Sequence, residues 1–266
     1  MPAILSHYAS GKVSVHLVGE SDRIAVVTIR RPDARNACDV ETVQGLYDAF
    51  ADIDREPSIC AGVLTGQGEH FCAGADLKEL STGASIGFSW AGDNKGATRK
   101  RLSKPFIAAV EGYAVAAGLA LAVWCDMRVA SDSAVFGVFC RRFGGPMPNG
   151  ATVRLPRIIG ESRALDMLMT GRPVAAEEAM LWGLADRRVT KGEALAEAIA
   201  LAEQLAGFPQ AALLCDRESA ITQWDFSEEE AIAREVAGAQ DAFRDAFQDG
   251  ASTFVAGTGR HGWFNS

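Results

Sequence analysis

Two short runs of small residues could bring bare backbone N–H groups to a single point. The first is His70-Phe71-Cys72-Ala73-Gly74-Ala75-Asp76-Leu77-Lys78-Glu79-Leu80. The second, about forty residues on, is Glu111-Gly112-Tyr113-Ala114-Val115-Ala116-Ala117-Gly118. Small side chains at a strand-to-helix turn leave the main chain open to a ligand oxygen. Two such clusters facing one oxygen make an oxyanion hole, which stabilises charge that develops on an acyl oxygen during reaction.

Regular elements must hold these runs in place. Ala61 to Thr65 is an apolar run that reads as a buried strand leading into the first cluster. Pro105 to Val110 reads as a second buried strand, and Ala117 to Cys125 as a buried helix. Val13 to Val18 and Ile24 to Ile29 read as a hairpin. Val43, Leu46, Tyr47, Phe50 and Ile53 recur at helical spacing, so the reading places a helix over 40–55. Gly- and Ser-rich residues 81–96 read as a loop. Beyond Gly171 the pattern turns helical, with stretches at 193–206, 209–223 and 227–247. The division expected is an α/β core over 1–200 and a helical region over 201–266.

Composition removes several function classes. A formal charge of −8 argues against general nucleic-acid binding. Phe106 to Cys125 is long and apolar, but Glu111-Gly112 divides it, so no membrane span is expected. Six cysteines without C-x-x-C spacing and four scattered histidines predict reduced thiols in the cytoplasm and no metal centre. Lys95, Arg99, Lys100, Arg101 and Lys104 form a basic island, readable as a solvated face or as a site for a polyanion such as coenzyme A.

The ordered set of motifs resembles the enoyl-CoA hydratase/isomerase (crotonase) superfamily. The first run is followed by Lys104-Pro105-Phe106-Ile107-Ala108-Ala109-Val110, Cys125-Asp126-Met127-Arg128-Val129-Ala130 and Phe136-Gly137. Leu168-Met169-Thr170-Gly171-Arg172 and Ala179 to Ala185 continue it, so the likeness covers roughly residues 12–257. It implies a crotonase-type spiral of ββα units with C-terminal helices that build homotrimers, often stacked as hexamers. It implies an acyl-CoA thioester as substrate, no tightly bound cofactor, and coenzyme A present only as part of that substrate. The oxyanion donors it implies are the backbone N–H groups of Ala75 and Ala117. The coenzyme A positions it implies are Ala34 and Arg35 on one wall, Ala73, Asp76 and Leu77 on the other, and Lys78 within reach of phosphate.

The chain departs from the family where hydration chemistry is concentrated. Hydratases of the family use two glutamates as general base and acid. The matching positions here are Ala120 and Cys140. Alanine has no proton to exchange. Cys140 is readable either as a small buried residue or as a thiolate favoured by Arg141 and Arg142. Glu111 stands near the site in sequence and is a substitute candidate. Arg141 and Arg142 could meet an acyl carboxylate or lie on the surface, and Asn149 could hydrogen-bond but not act as a base. The resemblance thus implies an acyl-CoA enzyme with doubtful enoyl-CoA hydration. The alternative is a non-catalytic acyl-CoA-binding or assembly protein.

Overall fold

The computed structural model describes residues 6–83, 96–99 and 101–255. It divides into two compact units, Met1–Gln204 and Leu205–Ser266.

The first unit is built on a seven-stranded sheet. In chain order its strands are β1 (His7–Tyr8), β2 (Val13–Val18), β3 (Ile24–Ile29), β4 (Ala61–Gly66), β5 (Phe106–Val110), β7 (Met127–Ser131) and β10 (Arg187–Val189), and they lie side by side in that order. β1, β2 and β3 pair antiparallel, and β3, β4, β5, β7 and β10 pair parallel. β2, near the sheet edge, buries Val13 and Val15 but exposes His16 and Leu17, whereas β3, β4 and β5 are near-continuous apolar runs. That difference follows from burial on one face against burial on both. A smaller sheet joins β6 (Tyr113–Val115), β8 (Val135–Gly137) and β9 (Val174–Ala175), with β6 parallel to β8.

Helix α1 (Val40–Arg55) turns Val43, Leu46, Phe50 and Ile53 into the core. Asp39 caps its start by accepting from Thr42 N at 2.8 Å. Its far end is closed by Lys104, a buried side chain whose Nζ donates to Ile53 O at 2.8 Å and to Glu56 O. α2 (Leu77–Leu80) is a single short helix capped by Asp76. α3 (Ala117–Trp124) is buried along its whole length, as its uniformly apolar sequence requires. Phe50 stacks on Trp124 at 4.5 Å, joining α1 to α3. α4 (Ala151–Ile159), which packs on α3, then α5 (Glu161–Thr170), α6 (Ala176–Trp182) and α7 (Ala194–Gly207) follow.

The second unit contains α8 (Gln210–Thr222), α9 (Glu228–Ala242), a π-turn over Phe243–Phe247 and α10 (Gln248–Val255). Ser227 and Glu230 form a reciprocal capping box at the start of α9. The helix expected over 227–247 therefore changes geometry at Phe243. Ile232, Val236, Phe243 and Phe247 are each more than half exposed.

The basic island is only partly available to a ligand. Lys104 is consumed by the α1 carbonyls, and Arg101 pairs with Asp126 at 3.1 Å. Lys95 and Lys100, and residues 84–95 of the expected loop, lie outside the described residues.

Candidate active site

The turn after β4 is tied down on both sides. Cys72 bridges to Ala114 of β6, with Cys72 N donating to Tyr113 O at 2.8 Å and Val115 N to Cys72 O at 3.1 Å. Ala75 bridges to Cys38, with Cys38 N donating to Gly74 O at 2.8 Å and Asp76 N to Cys38 O at 2.9 Å. Ala73 N donates to Arg35 O at 3.0 Å, and Gly74 N to Cys72 Sγ at 3.4 Å. Among the described residues, every N–H from Phe71 to Asp76 thus has an acceptor except that of Ala75.

The second run meets this turn. Ala116 N donates to Gly137 O at 2.8 Å, and the next residue, Ala117, opens α3 without an acceptor for its N–H among the described residues. A Cβ on Gly118 would lie 2.1 Å from Cys72 O, so only glycine lets the helix start come this close. A Cβ on Gly74 would lie 3.1 Å from Ala117 N. The segments that carry Ala75 and Ala117 therefore touch. The start of α3 adds the positive end of a helix dipole. Ala116 itself sits at φ 51°, ψ −122°, a region that L-residues seldom occupy.

The positions of the family glutamates hold no acid. Ala120 is fully buried within α3. Cys140 is half-buried in a 3₁₀ segment, Phe139–Phe143, and its thiol lies 3.2 Å from Met147 Sδ. Burial pushes that thiol up despite the counter-pull of Arg141, so it is protonated at neutral pH. Arg141 and Arg142 turn elsewhere: Arg141 Nε donates to Leu168 O at 3.1 Å, and Arg142 Nη2 to Gly171 O at 3.0 Å. Glu111 is occupied as well. Its Oε1 accepts from Gly192 N at 2.9 Å and Ala194 N at 3.2 Å, and its Oε2 from Ser133 Oγ at 3.1 Å. Its carboxylate thus ties β5 to the start of α7.

The coenzyme A positions implied by the sequence come together. Pro32–Ala34 is a short 3₁₀ turn, and Arg35 and Asn36 follow with left-handed backbones at φ 51° and 56°. Asn36 is buried and holds the loop by donating to His70 O at 2.6 Å and Gln67 O at 3.0 Å. The Ala73–Arg35 hydrogen bond brings the two walls side by side. Arg31 pairs with Asp76 at 2.8 Å, so Asp76 acts as a brace and as the α2 cap. Burial alone would raise the Asp76 carboxyl, but Arg31 and the Lys78 N–H outweigh it and hold it below its usual value. Leu77 and Lys78 are exposed beside this wall.

Cys38 and Cys72, both fully buried, touch at 3.9 Å beneath the turn. The contact with Cys72, reinforced by burial, keeps the Cys38 thiol protonated. Sequence reasoning missed this packing, and missed Gly74 and Ala116 as the residues that set the approach of the two runs. The glycine in Cys72-Ala73-Gly74-Ala75 was the available signal for the first.

Comparison with known proteins places the chain in one family. The family model described as enoyl-CoA hydratase/isomerase matches residues 19–259. The enoyl-CoA hydratase EchA19 of Mycobacterium tuberculosis is 39% identical over 196 residues, covering 71% of this chain and 73% of the relative. The mevalonyl-coenzyme A hydratase SIDH of Beauveria bassiana is 38% identical over 214 residues, 76% of each chain. A crystal structure of an enoyl-CoA hydratase from Mycobacterium tuberculosis H37Rv superposes with a TM-score of 0.85 at 32% identity, covering 92% of this chain and 96% of the other. The fold is that of the crotonases, and the chain belongs to the enoyl-CoA hydratase/isomerase family of enzymes.

Proposed function

We infer that the protein binds an acyl-CoA thioester and stabilises an enolate or oxyanion on its acyl oxygen with the N–H groups of Ala75 and Ala117. The observation that carries this reading is the contact of the two segments bearing unpaired donors. Each such donor, aimed where charge develops, is worth roughly 3–4 kcal/mol in a studied case. The two positions where the family's hydratases carry glutamates supply no general base, because Ala120 has no ionisable group and burial keeps the Cys140 thiol protonated. The reading is therefore of a different or substrate-assisted chemistry on an acyl thioester, not of two-glutamate hydration. Coenzyme A enters as part of the substrate, over the Ala34–Arg35 and Ala73–Lys78 walls.

The test is the infrared carbonyl band of carbonyl-13C-labelled crotonyl-CoA on the protein. Two donors on the oxygen shift the band to lower frequency relative to free thioester. An unshifted band with bound thioester rules out the oxyanion reading, and no heat on titration with acetyl- or crotonyl-CoA at millimolar concentration rules out the binding itself. The exposed apolar residues of the second unit and the family resemblance support a homotrimer or a dimer of trimers. A sedimentation mass near three or six times the 28.2 kDa chain is expected, and a monomer mass at micromolar concentration contradicts it.

A further inference from the structure

Behind the Ala75 donor, two peptide units in series lead back to a single cation. The N–H of Ala75 and the C=O of Gly74 belong to one peptide unit, and in a trans peptide they point in opposite directions. Gly74 O accepts from Cys38 N at 2.8 Å, so that bond fixes the direction of the Ala75 N–H. Cys38 N in turn shares its peptide unit with Ala37 O, which accepts from Arg31 Nη1. The guanidinium stands at one end of this series, and the Ala75 N–H is the other end.

The guanidinium is itself held. Its Nη2 donates to Asp76 Oδ2 at 2.8 Å and lies 3.2 Å from Asp39 Oδ2, which Lys12 shares at 2.7 Å. Burial alone would raise the Asp39 carboxyl, but Lys12, Thr42 and Arg31 outweigh it and hold it at about 2, so these ion pairs persist at neutral pH. Asn36 fixes the Arg31 backbone: Arg31 N donates to Asn36 Oδ1 at 2.9 Å, and Asn36 N to Arg31 O at 2.8 Å. The Arg31 side chain is only 18% exposed, so solvent screens its charge only in part.

A charged donor makes the stronger hydrogen bond, and bonds in series polarise one another by about 10–30% per bond. A cation drawing on Ala37 O makes Cys38 N–H a better donor. That N–H draws on Gly74 O and makes Ala75 N–H a better donor in turn. A donor already aimed and polarised needs no reorganisation when charge develops on an acyl oxygen. We propose that Arg31 is a positioning residue for the oxyanion donor, aiming and polarising the Ala75 N–H through the Ala37–Cys38 and Gly74–Ala75 peptide units. This rests on the acyl-CoA reading above. The simpler role, neutralising Asp39 and Asp76, is separated from it by experiment.

The carbonyl band of labelled crotonyl-CoA bound to the full chain reads the donor directly. In Arg31→Gln the downshift of the bound thioester should shrink by roughly 10–30%. Arg31→Lys keeps the charge without the planar fork and should recover about half of that loss or more. Arg31→Gln leaves Asp76 without its cation. If that variant does not fold, Arg31→Gln with Asp76→Asn, measured against Asp76→Asn alone, carries the test, and the same shrinkage is expected. A guanidinium that only neutralised Asp76 would leave the band where Asp76→Asn alone puts it, which overturns the proposal. A folded Arg31→Gln with the full downshift overturns it as well and leaves the acyl-CoA reading standing. Equal shrinkage in the Lys and Gln variants shows that the charge has no part and also overturns it. A wild-type band unshifted with thioester bound overturns the oxyanion reading, and this proposal with it.

Discussion

Gly74 and Ala117 are in packing contact: a Cβ on Gly74 would stand 3.1 Å from the Ala117 nitrogen and 2.9 Å from the Ala116 Cβ. Gly74 also has φ +101°, which side-chain-bearing residues rarely adopt. Gly74→Ala should therefore push the two runs apart. A loss of about 2 kcal/mol or more in denaturant unfolding is expected, together with at least a tenfold fall in crotonyl-CoA affinity. Unchanged affinity in a folded variant would mean that the spacing of the runs does not matter.

Ala116 stores strain next to the same contact. Its φ of 51° with ψ −122° suits glycine, and holding alanine there costs on the order of 1–3 kcal/mol. Glycine would relieve it at an entropic cost of roughly 0.5–1 kcal/mol. Ala116→Gly should thus stabilise by about 1 kcal/mol, seen as a rise in melting temperature of roughly 2–4 °C for a domain of this size. A lower melting temperature would show that the conformation is not strained.

Glu111 is expected to hold the fold and to take no part in proton transfer. Glu111→Gln removes an acceptor from one of three hydrogen bonds to Gly192, Ala194 and Ser133. The loss should be about 1–3 kcal/mol of stability, with the carbonyl band of bound thioester unmoved. A variant of full stability that abolishes turnover would make Glu111 a catalytic base.

The parts of the molecule legible in the sequence were those written in local pattern. Val43, Leu46, Phe50 and Ile53 announce α1, and the β2–β3 hairpin has the strands expected. The turn between β4 and α2 was legible because small residues stand where a strand meets a helix. Roles set by distant partners were not. Lys104 looks like part of a basic island until the α1 carbonyls, about fifty residues earlier, are brought to it. Glu111 reads as a free acid until Gly192, 81 residues away, is seen to donate to it.

The most direct test is the steady-state hydration of crotonyl-CoA by the wild-type protein and by the double variant Ala120→Glu with Cys140→Glu. General acid–base groups contribute about 10²–10⁴ each. The wild type should hydrate at least about four orders of magnitude more slowly than a relative with both glutamates. The double variant should gain activity if the pocket accepts the bulk, and Ala120→Glu alone should gain less, since one proton transfer still lacks its partner. A wild-type turnover on the order of 10 s⁻¹ or more would contradict the account. It would mean that Glu111, Cys140 or a group elsewhere in the site moves the protons.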